Sequence, residues 1–345
     1  MARKEDEFTA AMDDDFKAVV QEMIAFFSGA ATRIQGRATH TTGTAARGSA
    51  RIIVPRDFPP CDFLRFGATY PVVVRHATPR PAVGGNTDDR TLDGAAISIK
   101  FLKDGDASGL GFHDIMMNTG RVLFVPSARA FNRMVHTPFG QRGEMIREGM
   151  LDDDHLTEAY RSGSFTEFYY HSQIAFEFTD KLGTLRYIKF RSIPGDRGPE
   201  RGLFPPSIRA GGDTFAPRWP DDNRAEDYRR RHFEVTVDHL GVDYLLQAQL
   251  HPSEPADGPR DALRPMEYWD ERYHPWVDVA EIHLERTLTV AEMDALEFDA
   301  NRTDDAINLP LARTADDPAS MGHARALVYW HARQARANSP APHRV

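Results

Sequence analysis

The chain reads as an α+β protein centred on an antiparallel β-barrel or sandwich with helices at its flanks. Three features lead there. Short strand-like segments follow one another from residue 50 to residue 286, several of them alternating, as in Phe176 and Phe178 or Val235 and Val237. Alternation marks strands with one buried and one wet face, which is the habit of antiparallel sheets. No regular strand–helix–strand rhythm runs through the chain, which disfavours a doubly wound parallel sheet. Both ends carry helical signals instead.

In chain order, Asp14 can cap a first helix that carries Phe16, Val19, Val20, Met23, Ile24 and Phe27 and stops at Gly29. Strands are expected over 50–55, 70–77, 95–102, 121–126, 174–180, 184–192, 233–238, 242–251 and 277–286. The segment from Phe176 to Phe190 reads as a hairpin turning through Asp180–Gly183. Helical stretches are expected around 128–136, 141–161 and 221–231, and Ser320 can cap a last helix to about residue 337. Two proline-rich loops, 193–207 and 251–265, lie between strands and read as surface excursions, not domain boundaries.

A hydrophobic content of 41% and a charged content of 27% suffice for a sizeable core. The net charge of −9 opposes nucleic acid binding. The Arg229-Arg230-Arg231 run follows Glu226 and Asp227 and reads as a solvated helix face. Cys61 is the single cysteine, so an intrachain disulfide and a Cys-based metal cluster are excluded. The acidic N-terminus does not resemble a signal peptide, and no segment approaches the length of a membrane span. A soluble, cytoplasmic protein is expected.

Three constellations carry chemistry. Arg325, Tyr329 and Arg333 fall four apart on one helix face. They read either as a solvent-facing stripe around a half-buried tyrosine or as a phenolate between two guanidiniums, which could ligate ferric iron. Arg37-Ala38-Thr39-His40 offers an imidazole beside a hydroxyl, either exposed or structural, or an acid/base for splitting an O–O bond with Thr39 tuning it by a hydrogen bond. Asn118 before Thr119-Gly120 is either a turn signal or an amide donor to a peroxide oxygen.

Together and in this order, these motifs resemble the catalase superfamily. R-x-x-H-x-x-G from Arg37 is similar to the distal histidine segment of that family. VVVRHAT (72–78) resembles its V-R-F-S-T strand, which implies Arg75 as a propionate-binding arginine. RTLDGAAISIKF, FHDIMMNTG, RYIKFRSIP and R-x-x-x-Y match further family stretches, so the resemblance spans about 37–333. The departures select a branch: Thr39 stands where catalases have valine, Arg191 replaces the histidine of K-F-H, and Thr91 and Asp93 break R-D-x-R-G. These features, with HPW (274–276), resemble the short catalase-related hemoproteins of the allene oxide synthase type.

The resemblance implies one domain over 1–345: an N-terminal helix at about 13–29, a barrel of about eight strands over about 37–290 enclosing a buried heme, and a proximal-ligand helix at about 320–337. It implies heme b with ferric iron on Tyr329, cofactor contacts from Arg325, Arg333, Arg37, Arg75 and Phe124, and a distal pocket of His40, Asn118 and Thr39. Phe124, Met116 and Met117 are candidates to line a substrate channel, with core packing as the alternative. The implied activity is cleavage and rearrangement of a fatty acid hydroperoxide to an allene oxide, an epoxyalcohol or chain-cleaved aldehydes. Thr39 is expected to draw His40 from full acid/base duty and so to disfavour catalase turnover. A small catalase or peroxidase comes second, and a heme carrier or sensor third. The expected partner is a lipid or organic hydroperoxide; no nucleic acid and no membrane span are expected, peripheral membrane contact stays open, and the chain is a monomer or homodimer.

Overall fold

Eight strands close into an antiparallel barrel in the computed structural model, which describes residues 3–79, 88–91, 93–106, 109–204, 221–255, 258 and 260–338. The strands are β1 (Gly43–Ile52), β2 (Thr69–Ala77), β3 (Ala96–Phe101), β4 (His113–Asn118), β5 (Tyr170–His171), β6 (Phe176–Thr179), β7 (Leu185–Pro194), β8 (Val242–Pro252), β9 (Val277–Thr287) and β10 (Ile307–Asn308). The ring runs β7-β5-β4-β3-β2-β1-β9-β8 and returns to β7, while β6 and β10 extend the sheet beside the first half of β7. Eight strands leave an interior that side chains can fill. Val74, Ile97, Ile99 and Ile115 fill it here, all buried.

Helices α1 (Glu5–Ala11), α2 (Asp14–Ile34), α3 (Ala128–His136), α4 (Gly143–Arg147), α5 (Asp153–Glu158), α6 (Tyr228–Leu240), α7 (Val290–Ala295) and α8 (Ser320–Ala337) flank the barrel. The first long helix is α2; its cap is Asp13, and it runs through Gly29 to a left-handed Gln35. Its partner is α8, which meets α2 and α1 around His323. That imidazole accepts from the Ala312 N–H at 2.9 Å, reaches the Phe8 carbonyl at 3.0 Å, and has the Phe8 and Phe16 rings edge-on.

Several expected elements differ, each for a local reason. Residues 121–126 are irregular: Gly120 is left-handed, and the Leu123 N–H turns to the Pro265 carbonyl. The strand lies just upstream, as β4; it is buried on both faces, so it shows no alternation. Residues 233–238 belong to α6, where Arg229, Phe233 and Val237 form a buried stripe at helical spacing and Val235 faces out. Arg229 is accordingly not solvated; it is buried and donates to the Tyr228 hydroxyl at 3.0 Å and to the Arg161 carbonyl. The expected helix over 141–161 breaks into α4 and α5 at left-handed Gly149. The hairpin between β6 and β7 turns at Gly183 as expected. Residues 205–207 of one expected loop and 256, 257 and 259 of the other lie outside the described residues. Among the described residues no helix is long and apolar enough to cross a membrane.

The core carries neutral histidines. Burial pushes the imidazoles of His76 and His113 down from 6.5 to about 3, and that of His323 to about 4. Each binds fewer protons folded than unfolded, so its stabilising contribution is complete above pH 6.5 and fades as pH falls toward the folded value. The buried carboxyls of Asp89, Asp114 and Asp304 are raised and act in the opposite sense, by smaller shifts. The urea midpoint is therefore expected to be flat above about pH 7 and to fall steadily from about pH 6.5 to 4. Equilibrium unfolding at constant ionic strength checks this; a midpoint indifferent to pH across that window contradicts it.

Candidate heme site

The register of β1 to β4 lays out the floor of the site. Gly43, Ala77, Ala96 and Asn118 form one cross-strand row, and Ala45, Arg75, Ser98 and Met116 form the next on the same face. This face is turned away from the barrel interior, which takes the alternate residues such as His76 and Ile97. Small side chains dominate it, so the surface is shallow where Arg75, Asn118 and Met116 rise. Met117 takes the opposite face, inside the barrel, and does not line this floor.

Two glycines permit the geometry. A Cβ on Gly43 would lie 2.3 Å from the His76 carbonyl and within 3 Å of the Arg75 guanidinium. A Cβ on Gly48 would lie 1.8 Å from the His283 carbonyl, where β1 bulges against β9. Gly43 thus leaves room for Arg75 to bend back, and its Nη2 donates to the His40 carbonyl at 2.7 Å. That bond holds His40 in a left-handed backbone conformation, φ 53°, uncommon for a residue with a side chain.

Around His40 the chain gathers cations. Burial lowers its imidazole to about 3, and the charges of Arg75, Arg325 and Arg37 depress it further. Arg75 itself is lowered to about 10 by burial, with Arg336 as a further cause. Arg37 donates to the carbonyls of Met293 at 3.0 Å and Leu296 at 2.8 Å, at the end of α7; Arg336 donates to the same Leu296 carbonyl at 3.1 Å. Asp294 and Glu297 exert a raising field on Arg37 and Arg336. Among the described residues no carboxylate forms an ion pair with Arg37, Arg75, Arg325 or Arg336. His40 Nδ1 and Arg75 Nε are buried without hydrogen-bond partners.

On α8, Arg325 lies over the Tyr329 ring, with its guanidinium carbon 5.2 Å from the centroid. The Tyr329 side chain is half-buried, and its hydroxyl has no hydrogen bond to the described residues. Arg333 departs from the expected pairing: it binds Asp299 at 2.8 Å, with Glu297 at 3.8 Å, so it braces α8 against the 297–299 segment. The Asp299 N–H and Arg302 bind Asp114 on β4, which links α8 to the barrel.

The expected bond from Thr39 to His40 is absent, because His40 Nδ1 is unpartnered and the Thr39 hydroxyl has no acceptor among the described residues. Phe124 packs on the core, and its carbonyl accepts from Asp152 at the cap of α5; no polar or ring contact joins it to the cluster.

These residues fit a heme. Four guanidiniums without carboxylate partners suit two propionates and a phenolate. The free Tyr329 hydroxyl suits an iron ligand, and the face that carries Asn118 and Arg75 is otherwise made mostly of small residues. Arg336 and Gln173 escaped the sequence reading. Arg336 could have been found, since it falls two turns beyond Tyr329 on the same helix face.

The fold is that of a catalase. A fungal catalase structure matches with a TM-score of 0.64 over 88% of this chain and 60% of that one; at 17% identity the likeness speaks for the fold alone. No protein-family model matches the chain. It is 46% identical over 229 residues to the uncharacterized protein y4iK of Sinorhizobium fredii, 66% of this chain and 99% of that protein. It is 31% identical over 323 residues to the linolenate 9R-lipoxygenase of a Nostoc species, 92% of this chain and 41% of that protein. It is 29% identical over 316 residues to the allene oxide synthase-lipoxygenase protein of Plexaura homomalla, 89% of this chain and 29% of that protein. The chain thus spans less than half the length of these last two relatives. It belongs to the catalase-related proteins, in the allene oxide synthase branch.

A guanidinium buried without a counter-ion costs free energy in the protein alone. Arg75→Met is therefore expected to leave the urea midpoint of the heme-free protein unchanged or higher, while weakening hemin uptake at least about tenfold, roughly the loss of one charge-assisted hydrogen bond. Unfolding and hemin titrations of the variant measure both; a loss of several kcal/mol in the heme-free protein would make Arg75 a structural residue instead.

Proposed function

We propose that the chain is a heme enzyme that cleaves the O–O bond of a fatty acid hydroperoxide and rearranges the product, as an allene oxide synthase, epoxyalcohol synthase or hydroperoxide lyase does. The observation that carries this reading is the convergence of His40, Arg37, Arg75, Arg325 and Arg336, which opposes a neutral imidazole to an anion-accepting cradle. The two longer relatives supply the substrate class. Both are named as lipoxygenases, one for linolenate, and one is also named as an allene oxide synthase.

When bound, heme supplies ferric iron for O–O bond cleavage. Tyr329 would hold that iron, with Arg325 stabilising the phenolate. Arg37, Arg75 and Arg336 would bind the propionates. His40 would do the acid–base work. Its imidazole is neutral because burial, reinforced by the neighbouring cations, disfavours its protonation, and a neutral imidazole can take a proton from the hydroperoxide. Anions arriving at those guanidiniums relieve the repulsion, so His40 becomes a better base when the cradle fills. Asn118 closes the pocket with an amide N–H for a peroxide oxygen.

A small catalase or peroxidase is the second reading, resting on the fold match to a catalase. The heme-loaded protein given hydrogen peroxide and, separately, a linolenate-derived hydroperoxide distinguishes the two. Rapid loss of the lipid hydroperoxide with little oxygen release is expected. His40→Ala is expected to slow that loss by about 10²–10⁴, the usual worth of a positioned acid–base group. Vigorous oxygen release with the lipid untouched would establish the second reading.

A further inference from the structure

Gln173 lies outside the cation cluster, yet its bonds converge on the distal amide. It is 3% exposed and sits between β5 and β6 in a left-handed conformation, φ 61°, which few residues with side chains adopt. Its Nε2 is 3.2 Å from each of three carbonyl oxygens, those of Thr119, Gly120 and Val122. Its Oε1 accepts from Asn118 Nδ2 at 3.2 Å.

The orientation of this pair follows from chemistry. Carbonyl oxygens only accept, so the Gln173 amide must turn its NH₂ toward the three of them. Its oxygen then faces Asn118, which must in turn present its own NH₂. One Asn118 N–H is consumed by Gln173, and a flipped Asn118 would set two oxygens against each other in a buried place. The second N–H is left free on the row shared with Gly43, Ala77 and Ala96. A left-handed backbone at a buried glutamine is a cost that recurs where geometry matters.

We infer that Gln173 is a positioning residue that locks the rotamer and amide orientation of Asn118, so that a single N–H is aimed at the distal oxygen of a bound peroxide. This rests on the heme hydroperoxide reading above. The step is a hydrogen bond only: Gln173 touches no reacting atom, and no electron or proton passes through it.

A double-mutant cycle on the heme-loaded protein tests it. Gln173→Met keeps length and burial while removing both amide functions. It is expected to lower kcat about tenfold with KM little changed, a fraction of the loss typical for deleting such a donor outright. In an Asn118→Ala background the same change is expected to leave kcat unaltered, since Gln173 acts only through Asn118. The infrared stretch of carbon monoxide on the ferrous protein reports the distal hydrogen bond without turnover; it should shift in Gln173→Met toward its position in Asn118→Ala. An equal loss of kcat in both backgrounds, or an unmoved stretch, would overturn the inference and make Gln173 a structural clamp on the 119–122 turn. If the unaltered protein takes up no heme, the functional reading falls first and this one with it; uptake and turnover with an additive cycle sink this one alone.

Discussion

A guanidinium buried without a carboxylate organises this molecule. Arg75 rises from the centre of β2 on the covered face of the barrel, over the gap that Gly43 leaves, and fixes the His40 backbone through its carbonyl. Protein interiors rarely hold a cation on such terms, because desolvation is not repaid. The arrangement persists because the surrounding frame over-determines it. Backbone carbonyls at the end of α7 hold Arg37 and Arg336, and Asp114 with Asp299 locks the covering segment onto β4. What results is a cluster of guanidiniums around a neutral histidine, with the Tyr329 hydroxyl unpaired among the described residues.

That cluster unites residues from opposite ends of the chain. Arg37 and His40 precede the first strand, while Arg325, Tyr329 and Arg336 belong to the last helix. The barrel supplies the rigid floor between them, and contacts among α1, α2 and α8 around His323 bring the termini together. Burial and charge here give one result by two routes. Desolvation alone would keep His40 neutral, and the neighbouring guanidiniums reinforce it.

Much of this was legible in the sequence, and the reasons differ by element. The barrel showed through its alternating segments, and His40 and Tyr329 were proposed as site residues from motif order. The strand β4 stayed hidden because burial on both faces erases alternation. The segment around Val235 and Val237 misled because a helical stripe with one exposed valine also reads as period two over a short window. Thr39 was credited with a bond to His40 that the structure does not make, since sequence adjacency says little about side-chain direction. Gln173 was invisible because its role depends on three carbonyls more than fifty residues away, beyond any local pattern.

The claim at the centre is that the cation cluster around His40 is built for an anionic cofactor. Titration of hemin into the heme-free protein, followed by absorption and by thermal unfolding, tests it most directly. The account predicts saturation at one hemin per chain, the spectrum of a phenolate-ligated ferric heme that Tyr329→Phe abolishes, and a midpoint that climbs with hemin concentration as specific binding to the folded state requires. Unsaturable uptake with an unmoved midpoint, or an unchanged spectrum in Tyr329→Phe, would contradict it.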